Sequence, residues 1–460
     1  MSLERYHFVG IGGIGMSALA RLLLERGAAV SGSDLARSAL LEELERAGAR
    51  VTIGQRAANL ADATVVVVSS AIDRGNPEYA AARDRALPIL TRGELLAQLT
   101  QAHRTVAIAG THGKTTTTAM TAAIFEAAGF DPTVAVGGER LDTRSNARSG
   151  GGAWFITESD ESDGSFLHLS PAIAVVTNIE NDHVVSDEEL PRLSAQFAAF
   201  LQSVPPDGHA VVGTDSPASA RLAEVAGCAT TTFATRVAAD LRATGIRYAA
   251  LGSRSTVELR GARLGELALP VPGEINVQNA LAALAAALAA GIAFAGAART
   301  LSTFAGVRRR FEIVGRGASL TIVDDYAHHP TAVAQTIAAA RAAHDGPILV
   351  AFQPHRYSRT AYLADSFARA LAAADRVVLA PVYAASEAPV AGVSERSIGE
   401  LLSKGGTPVD YVARVEDLVE WIPAFAPPNA LVLMLGAGSI SSVARAMSER
   451  LGLPGALARG

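Results

Sequence analysis

Hydrophobic positions fall along the chain in short β-branched runs that alternate with longer helical stretches. YHFVGIG, TVVVVSSAI, TVAIAG, WFITES, IAVVTNIE, LTIVDDY, PILVAF, RVVLAPV and ALVLMLG each read as a short buried strand. Most are separated by Ala/Leu/Arg-rich segments with helical spacing. A strand that is apolar on both faces belongs in a parallel sheet with helices over it, so the pattern predicts an α/β fold. At 460 residues the chain has length for about three such domains. Two places suggest the divisions. A helical segment ends near Thr100 to Arg104, just before a new strand, and GVRRR at 306 to 310 follows a long Ala-rich helix. The expected pieces are 1–102, 103–307 and 308–460. Residues 205 to 275 look less regular and read as a small excursion, with short strands, inside the middle piece.

One stretch imitates a membrane span: ALAALAAALAAGIAFAGAA, residues 280 to 298, carries no charge. Alanine has little transfer energy compared with leucine or isoleucine, so this reads as a buried helix broken near Gly291. The N-terminal MSLERYHFVGIGG has no apolar signal region. Lys+Arg 40 against Asp+Glu 45 gives no argument for a nucleic-acid or anionic-membrane partner. Cys228 is the only cysteine, which excludes an internal disulfide and suggests a reducing compartment. The expectation is a cytoplasmic protein with no nucleic acid and no membrane partner, monomer or homodimer alike.

Positive charge is written almost wholly as arginine, with Lys114 and Lys404 the two lysines. Lys114 stands in AIAGTHGKTTTTAM, where a strand runs into a Gly-rich turn and then a helix. That layout gathers backbone N–H groups and the helix dipole at one point, which suits a phosphate. A lysine reaches β- and γ-phosphates as a compact charge on a thin stem, where arginine's planar fork does not. Thr115 would turn its hydroxyl to Mg²⁺. The first Gly of the general G-x-x-x-x-G-K-[ST] pattern falls on Ile108, so Gly110 and Gly113 alone make the turn. The loop indicates a nucleoside triphosphate and a P-loop-type middle domain.

Other strand ends carry candidate chemistry. Glu158 closes WFIT and His183 lies just past IAVVT, so a parallel sheet would bring both toward Lys114 and Mg²⁺. Asp160, Glu161 and Asp163 are solvated acids or a supporting layer. Gly10-x-Gly12-x-x-Gly15, with Asp34 at the next strand end, is a Rossmann-like fingerprint. By itself it suggests a dinucleotide such as NAD, or only close helix–strand packing. Hydride transfer has no use for a γ-phosphate clamp, which weighs against an oxidoreductase. In the last piece, TIVDDYAHHPTAV and VAFQPHRYSRTAYL each follow a strand and open a helix. They bring Asp324, Asp325, Tyr326, His328, His329, His355, Arg356 and Arg359, a polar density that is costly unless it faces a ligand. VLMLGAGSI adds Gly436 and Gly438.

From about residue 5 to 450 the chain resembles the Mur ligase family, three-domain ATP-dependent amide-bond ligases of peptidoglycan synthesis. The marks are GIGGIGMSALA, GTHGKTTTTAM, SNARSG, ESDESDGSFLHLSP, NVQNALAA, GVRRRF, DDYAHHPT and FQPHRYSRT. The family's loop is G-T-x-G-K-T, which accounts for Ile108. The resemblance implies Rossmann-like first and third domains around a P-loop-type ATPase domain with a mostly parallel sheet. It implies ATP and Mg²⁺, and as substrates UDP-N-acetylmuramate and L-alanine, or else a recycled murein tripeptide. Gly12, Gly13 and Gly15 would hold the UDP diphosphate rather than NAD, with Asp34 and Ser69 in the same substrate set. Gly110, Thr111, Gly113, Lys114, Thr115 and Thr116 would hold ATP phosphates. Thr115, Glu158 and His183 would hold metal, Asn276 and Asn279 adenine, and Arg310 phosphate. Tyr326, His328, His355, Arg356 and Arg359 would shape the site for the lactyl carboxylate and the incoming alanine. Lys114, His183, His328, His355, Arg356 and Arg359 form the implied catalytic set, on domains that close on one another. The family's His before NVxNA is Ile275 here, and the acid of D-H-M/L-D is Val185. The carbamylated lysine that bridges metals in some relatives has no counterpart, because the middle piece has no lysine besides Lys114. These departures keep open a nucleotide-binding paralogue with altered activity.

Overall fold

The computed structural model describes residues 4–160, 164–180 and 189–455, and every strand read from the hydrophobic pattern is present. The chain forms two compact units. One comprises Met1–Thr244, Val257–Gly265 and Gln278–Leu301, the other Gly245–Thr256, Glu266–Val277 and Ser302–Gly460.

The first unit opens with a five-stranded parallel sheet in the order Arg50–Ile53, Ala29–Asp34, Arg5–Val9, Val65–Val68, Ile89–Thr91. Strand order reverses between Arg5–Val9 and Val65–Val68, which opens a crevice at their C-terminal ends. The VVVV strand is buried throughout because helices cover both faces. The following helices start where local chemistry dictates. Asn76 caps Pro77–Asp84 through Glu78 N and Tyr79 N, with Pro at the first turn. Thr91 and Glu94 form a capping box at Arg92–Thr100.

A second sheet has ten strands. At its centre Arg104–Ala109 lies between Trp154–Glu158 and Ile173–Val176, parallel to both. Helix Ile14–Glu25 packs on strands Thr133–Arg140 and Ser145–Arg148 of this sheet. One apolar core runs from Phe8 and Leu22 to Phe155 and Phe166. Residues 205 to 275 are more regular than the sequence suggested. Strands His209–Gly213, Ala229–Ala234, Leu241–Ala249, Gly252–Leu259 and Ala262–Leu269 belong to the sheet. Leu241–Ala249 is buried at Leu241 and Ala243 but exposed at Gly245, Arg247 and Ala249 on the same side, so its apolar period-two signal runs out halfway along the strand. The Ala-rich stretch is two helices, Glu274–Ala289 and Phe294–Ser302, broken at Gly291, whose φ is 85°. Among the described residues no helix is long and apolar enough to cross a membrane.

The second unit holds a six-stranded sheet in the order Glu312–Arg316, Leu320–Asp325, Ala430–Leu435, Ile348–Phe352, Arg376–Leu379, Val409–Tyr411. Only the first strand is antiparallel. Apolar clusters cover both faces, one around Phe352 and Phe367, the other around Met434 and Met447. The C-terminal ends of Leu320–Asp325, Ile348–Phe352, Arg376–Leu379 and Ala430–Leu435 therefore emerge side by side.

Candidate active site

In the first unit, strand Arg104–Ala109 turns through Gly110–Gly113 into helix Lys114–Ala127. The turn needs its glycines. Gly113 has φ 82°, and a Cβ there would meet Asn279 Oδ1 at 2.1 Å. Gly110 has φ 134°, and its Cβ would meet Thr177 Oγ1 at 2.1 Å. Residues beyond the neighbouring strand end hold the loop's shape. Thr177 Oγ1 donates to His112 O at 2.6 Å, Asn178 Nδ2 donates to the same oxygen at 3.1 Å, and His112 N donates to Asn178 Oδ1 at 2.9 Å. Thr111 N donates to Asn178 O at 3.0 Å, and Glu180 N to Thr111 Oγ1 at 3.0 Å. Lys114 Nζ donates to Gly110 O at 2.6 Å, so the ammonium lies over the loop. Thr115 and Thr116 are buried in the first helical turn, whose amides have no partners within the helix. Asn279 Oδ1 accepts from Thr117 Oγ1 at 3.3 Å, which brings it against this turn.

Glu158 ends the strand beside the loop strand, paired with Ile108. Its Oε2 is buried with no hydrogen-bond partner among the described residues. Across from it is Gly137, where a Cβ would sit 1.6 Å from Glu158 Oε1. A buried, unpaired carboxylate oxygen is costly and points to a cation. Among the described residues no three His, Cys, Asp or Glu side chains gather around one point. A single carboxylate with the Thr115 hydroxyl suits Mg²⁺, which keeps its waters and takes phosphate oxygens for the rest. His183, Glu161, Asp163 and Val185 lie outside the described residues, so the triad of Lys114, Glu158 and His183 is placed only in its first two members.

At the switch point of the first sheet, Gly10 has φ 79°, and both Gly10 N and Ile11 N donate to Ser33 O. Gly12 N donates to Asp34 Oδ2 at 2.8 Å, so Asp34 closes the glycine turn directly. Gly13 precedes helix Ile14–Glu25, and Ser69 follows strand Val65–Val68 across the crevice. Gly15 sits inside the first turn against Arg92, whose Cδ would lie 3.0 Å from an added Cβ. Asn146, in SNARSG, donates to Ile14 O at 2.9 Å and to Ser17 Oγ at 3.0 Å. Under the turn, Glu78 is buried. It accepts from Ser33 Oγ and Asn59 Nδ2, both at 2.5 Å, and faces His7 at 3.4 Å. Burial pushes its pKa up, but these partners prevail and hold the carboxyl below its ordinary range.

In the second unit, Tyr326 and His328 follow one strand end while His355, Arg356 and Arg359 follow another. The Tyr326 and His328 rings meet edge to face at 4.8 Å, and His328 and His355 at 5.7 Å. His328 Nδ1 lies 2.8 Å from Tyr326 O, so that nitrogen carries the proton and Nε2 is left as an acceptor. Arg359 Nη1 approaches His355 Nδ1 at 3.5 Å. Arg309 and Arg310 lie over the Tyr326 ring at 4.8 and 5.3 Å. Asp325, buried, accepts from Phe311 N at 2.7 Å and Ala327 N at 2.8 Å. It thereby ties the GVRRRF segment to the strand end. Arg356 has φ 69°, which costs a non-glycine residue about 1–2 kcal/mol.

These features match a known family. Three family models cover most of the chain: "Mur ligase family, catalytic domain" over residues 5–104, "Mur ligase middle domain" over 108–287, and "Mur ligase, glutamate ligase domain" over 309–438. The chain belongs to the Mur ligase family. It is 41% identical over 450 residues to the UDP-N-acetylmuramate–L-alanine ligase of Geotalea uraniireducens, covering 98% of each chain. With that of Acidithiobacillus ferrooxidans it shares 44% over 448 residues, 96% of this chain and 97% of the other. Among solved structures it is similar to the UDP-N-acetylmuramate-alanine ligase of Thermotoga maritima. There the TM-score is 0.85 at 31% identity, over 97% of this chain and 99% of that one. The murein peptide ligase of Psychrobacter arcticus gives a TM-score of 0.72 at 25% identity, over 98% and 99%.

The sequence reading of this Mur ligase missed Thr177, Asn178 and Glu180, although it quoted the segment that holds them. A hydroxyl and an amide just past a strand end next to a phosphate loop are the signal. Arg92 was also missed, and only its contact with Gly15 brings it to notice. Asn276 is not aimed freely outward: its Nδ2 donates to Pro272 O at 2.7 Å.

Burial and neighbouring guanidinium groups push His328 down to about 3 and His355 down to about 4. Both are therefore neutral near pH 7. An unfolded histidine takes a proton near pH 6.5 while folded His328 does not, so its contribution is complete above about pH 6.5 and is lost as pH falls toward about 3. Asp324, raised to about 6 mainly by burial, titrates in an overlapping range with the opposite sign. Both proteins in the comparison keep it. His328→Gln is therefore expected to gain thermal stability relative to wild type on going from about pH 7 to pH 5. Parallel melting-temperature profiles across that range would refute the buried neutral imidazole.

Proposed function

We propose that this chain joins L-alanine to the lactyl carboxylate of UDP-N-acetylmuramate, driven by ATP, in peptidoglycan precursor synthesis. The observation that carries the reading is the phosphate loop with Lys114 beside the unpaired Glu158 carboxylate, in a chain similar over its full length to UDP-N-acetylmuramate–L-alanine ligases.

A carboxylate and an amine do not condense unaided in water. The lactyl carboxylate attacks γ-phosphate, giving an acyl phosphate and ADP. The alanine amine then attacks the acyl carbon, and phosphate leaves. The protein contributes position and charge. Lys114 neutralises the transferring phosphoryl group, and the first amides of helix Lys114–Ala127 hold its oxygens. Glu158 and the Thr115 hydroxyl would hold Mg²⁺, which would draw charge from the phosphate oxygens. The glycine turn with Asp34 and Ser69 takes the UDP-sugar. Arg356 and Arg359 attract the carboxylate of alanine. His328, neutral with Nε2 open as an acceptor, takes a hydrogen bond from the alanine nitrogen. With a pKa near 3 it orients that nitrogen rather than storing its proton.

The test is phosphate release from ATP–Mg²⁺ with UDP-N-acetylmuramate and, in turn, L-alanine, glycine, L-serine and recycled murein tripeptide. Release that needs both the UDP-sugar and L-alanine supports the reading. Release only with the tripeptide replaces it with a recycling ligase. Nucleotide binding without release makes the chain a paralogue that has lost the chemistry.

A further inference from the structure

Beyond the strand ends already described, the second unit contains a strained turn with no role in the chemistry above. Ala385 has φ 47° and Ser386 φ 71°, and Glu387 N donates to Ala384 O at 3.0 Å. Two consecutive non-glycine residues in the left-handed region make a tight turn normally reserved for Gly or Asn. Such strain persists only where the surroundings enforce it, and it gathers at functional sites.

Both ends of this turn grip the His355 loop. Tyr383 N donates to Pro354 O at 2.8 Å, and Arg356 N donates to Tyr383 O at 2.8 Å. The parallel pairing of Ile348–Phe352 with Arg376–Leu379 thus resumes for one bridge at His355 and Tyr383. The Tyr383 ring stacks on the His355 imidazole, centroids 5.6 Å apart and 16° from parallel. Gly438 lies under the ring, where an added Cβ would come within 2.7 Å of Tyr383 Cγ. At the other end, Glu387 accepts from Ser358 Oγ at 2.7 Å and from Ser358 N at 3.1 Å. It so satisfies the first turn of helix Tyr357–Leu371, which carries Arg359 and follows Arg356. Tyr383 keeps 41% of its surface exposed, so the ring contributes little to the core.

We propose that the 383–387 turn is a positioning clamp for the amino-acid site, in which Tyr383 fixes the His355 ring and Arg356 backbone while Glu387 fixes the helix start that presents Arg359. Tyr383 and Glu387 are positioning residues: they act through groups that face the amino acid. The proposal rests on the functional reading above.

The experiment uses the full chain and measures KM for L-alanine, ATP and UDP-N-acetylmuramate in wild type, Tyr383→Ala, Tyr383→Phe and Glu387→Ala. Misplacing site groups by a fraction of an ångström is expected to raise the L-alanine KM about tenfold in both alanine variants, with the other two KM values changed less than about twofold. Tyr383→Phe keeps the stack and the backbone bridge and is expected to restore wild-type values. An unchanged L-alanine KM in both alanine variants overturns the clamp. So does an equal rise in all three KM values, which marks a general structural effect, or a Phe variant as impaired as the Ala variant. Should Tyr383→Ala fail to fold, Glu387→Ala carries the same comparison. A wild-type protein that releases no phosphate with L-alanine sinks the functional reading and the clamp together; an active wild type with unaltered variants sinks the clamp alone.

Discussion

Replacing Lys114 with alanine is expected to abolish ligation while the UDP-sugar binds as before. The side chain donates to Gly110 O in its own loop. Its loss therefore removes a charge and leaves the helix, whose packing rests on residues such as Met120, Ile124 and Phe125. In the proposed reaction that charge acts on the phosphoryl group at the moment of transfer. A preorganised cation at such a point is worth about 10³-fold or more in rate. Arginine should not restore it, since its planar fork does not match a contact built for a compact ammonium. Lys404, exposed at the end of helix Arg396–Lys404, is the control, and Lys404→Ala should keep full activity. Turnover by phosphate release and UDP-sugar affinity by calorimetry check the pair of effects. Near wild-type turnover in Lys114→Ala would remove the loop from the chemistry.

The second large effect concerns Glu158, and its sign differs between activity and stability. Glu158→Gln keeps the shape and removes the charge. A buried carboxylate oxygen without a partner destabilises the fold of the metal-free protein. The variant is therefore expected to melt at or above the wild-type temperature without divalent ions. Its turnover should fall about 10²-fold or more, because the carboxylate proposed to hold Mg²⁺ is gone. The stabilisation that Mg²⁺ with ATP gives wild type should shrink in the variant. Melting curves with and without Mg²⁺–ATP, set beside turnover, read all three. A variant that is both less stable and fully active would make Glu158 a structural residue and move the metal elsewhere.

The hydrophobic pattern carried most of the fold because parallel strands buried on both faces leave continuous apolar runs such as VVVV at 65–68. It failed where strands are open on one side. Leu241–Ala249 places Arg242 and Arg247 among its residues, and Val409–Tyr411 is too short to signal anything. The candidate site was legible wherever a residue type is demanded by the ligand, as with Lys114 directly after the two required glycines Gly110 and Gly113. Residues that act through their neighbours were not. Thr177 and Asn178 hold the loop by hydrogen bonds that span more than sixty positions of sequence, as in the contact between Asn178 and His112. Tyr383 reaches His355 across a strand-end bridge that no spacing announces. Asp34 was read as a substrate contact, and what the structure shows is its closing of the glycine turn through Gly12 N. Such roles depend on which strand ends become neighbours, and the order of strands in a sheet is not written in the order of the chain.

The central claim is that the lactyl carboxylate itself attacks the γ-phosphate. It is tested most directly with UDP-N-acetylmuramate labelled with heavy oxygen in that carboxylate, under turnover with ATP–Mg²⁺ and L-alanine. The account predicts that the released phosphate carries one carboxylate oxygen, because the bond made in activation is to phosphorus and the bond broken by the amine is to carbon. Label found in AMP would mean activation at the α-phosphate instead, and phosphate without label in a reaction that still forms product would contradict the acyl-phosphate route altogether.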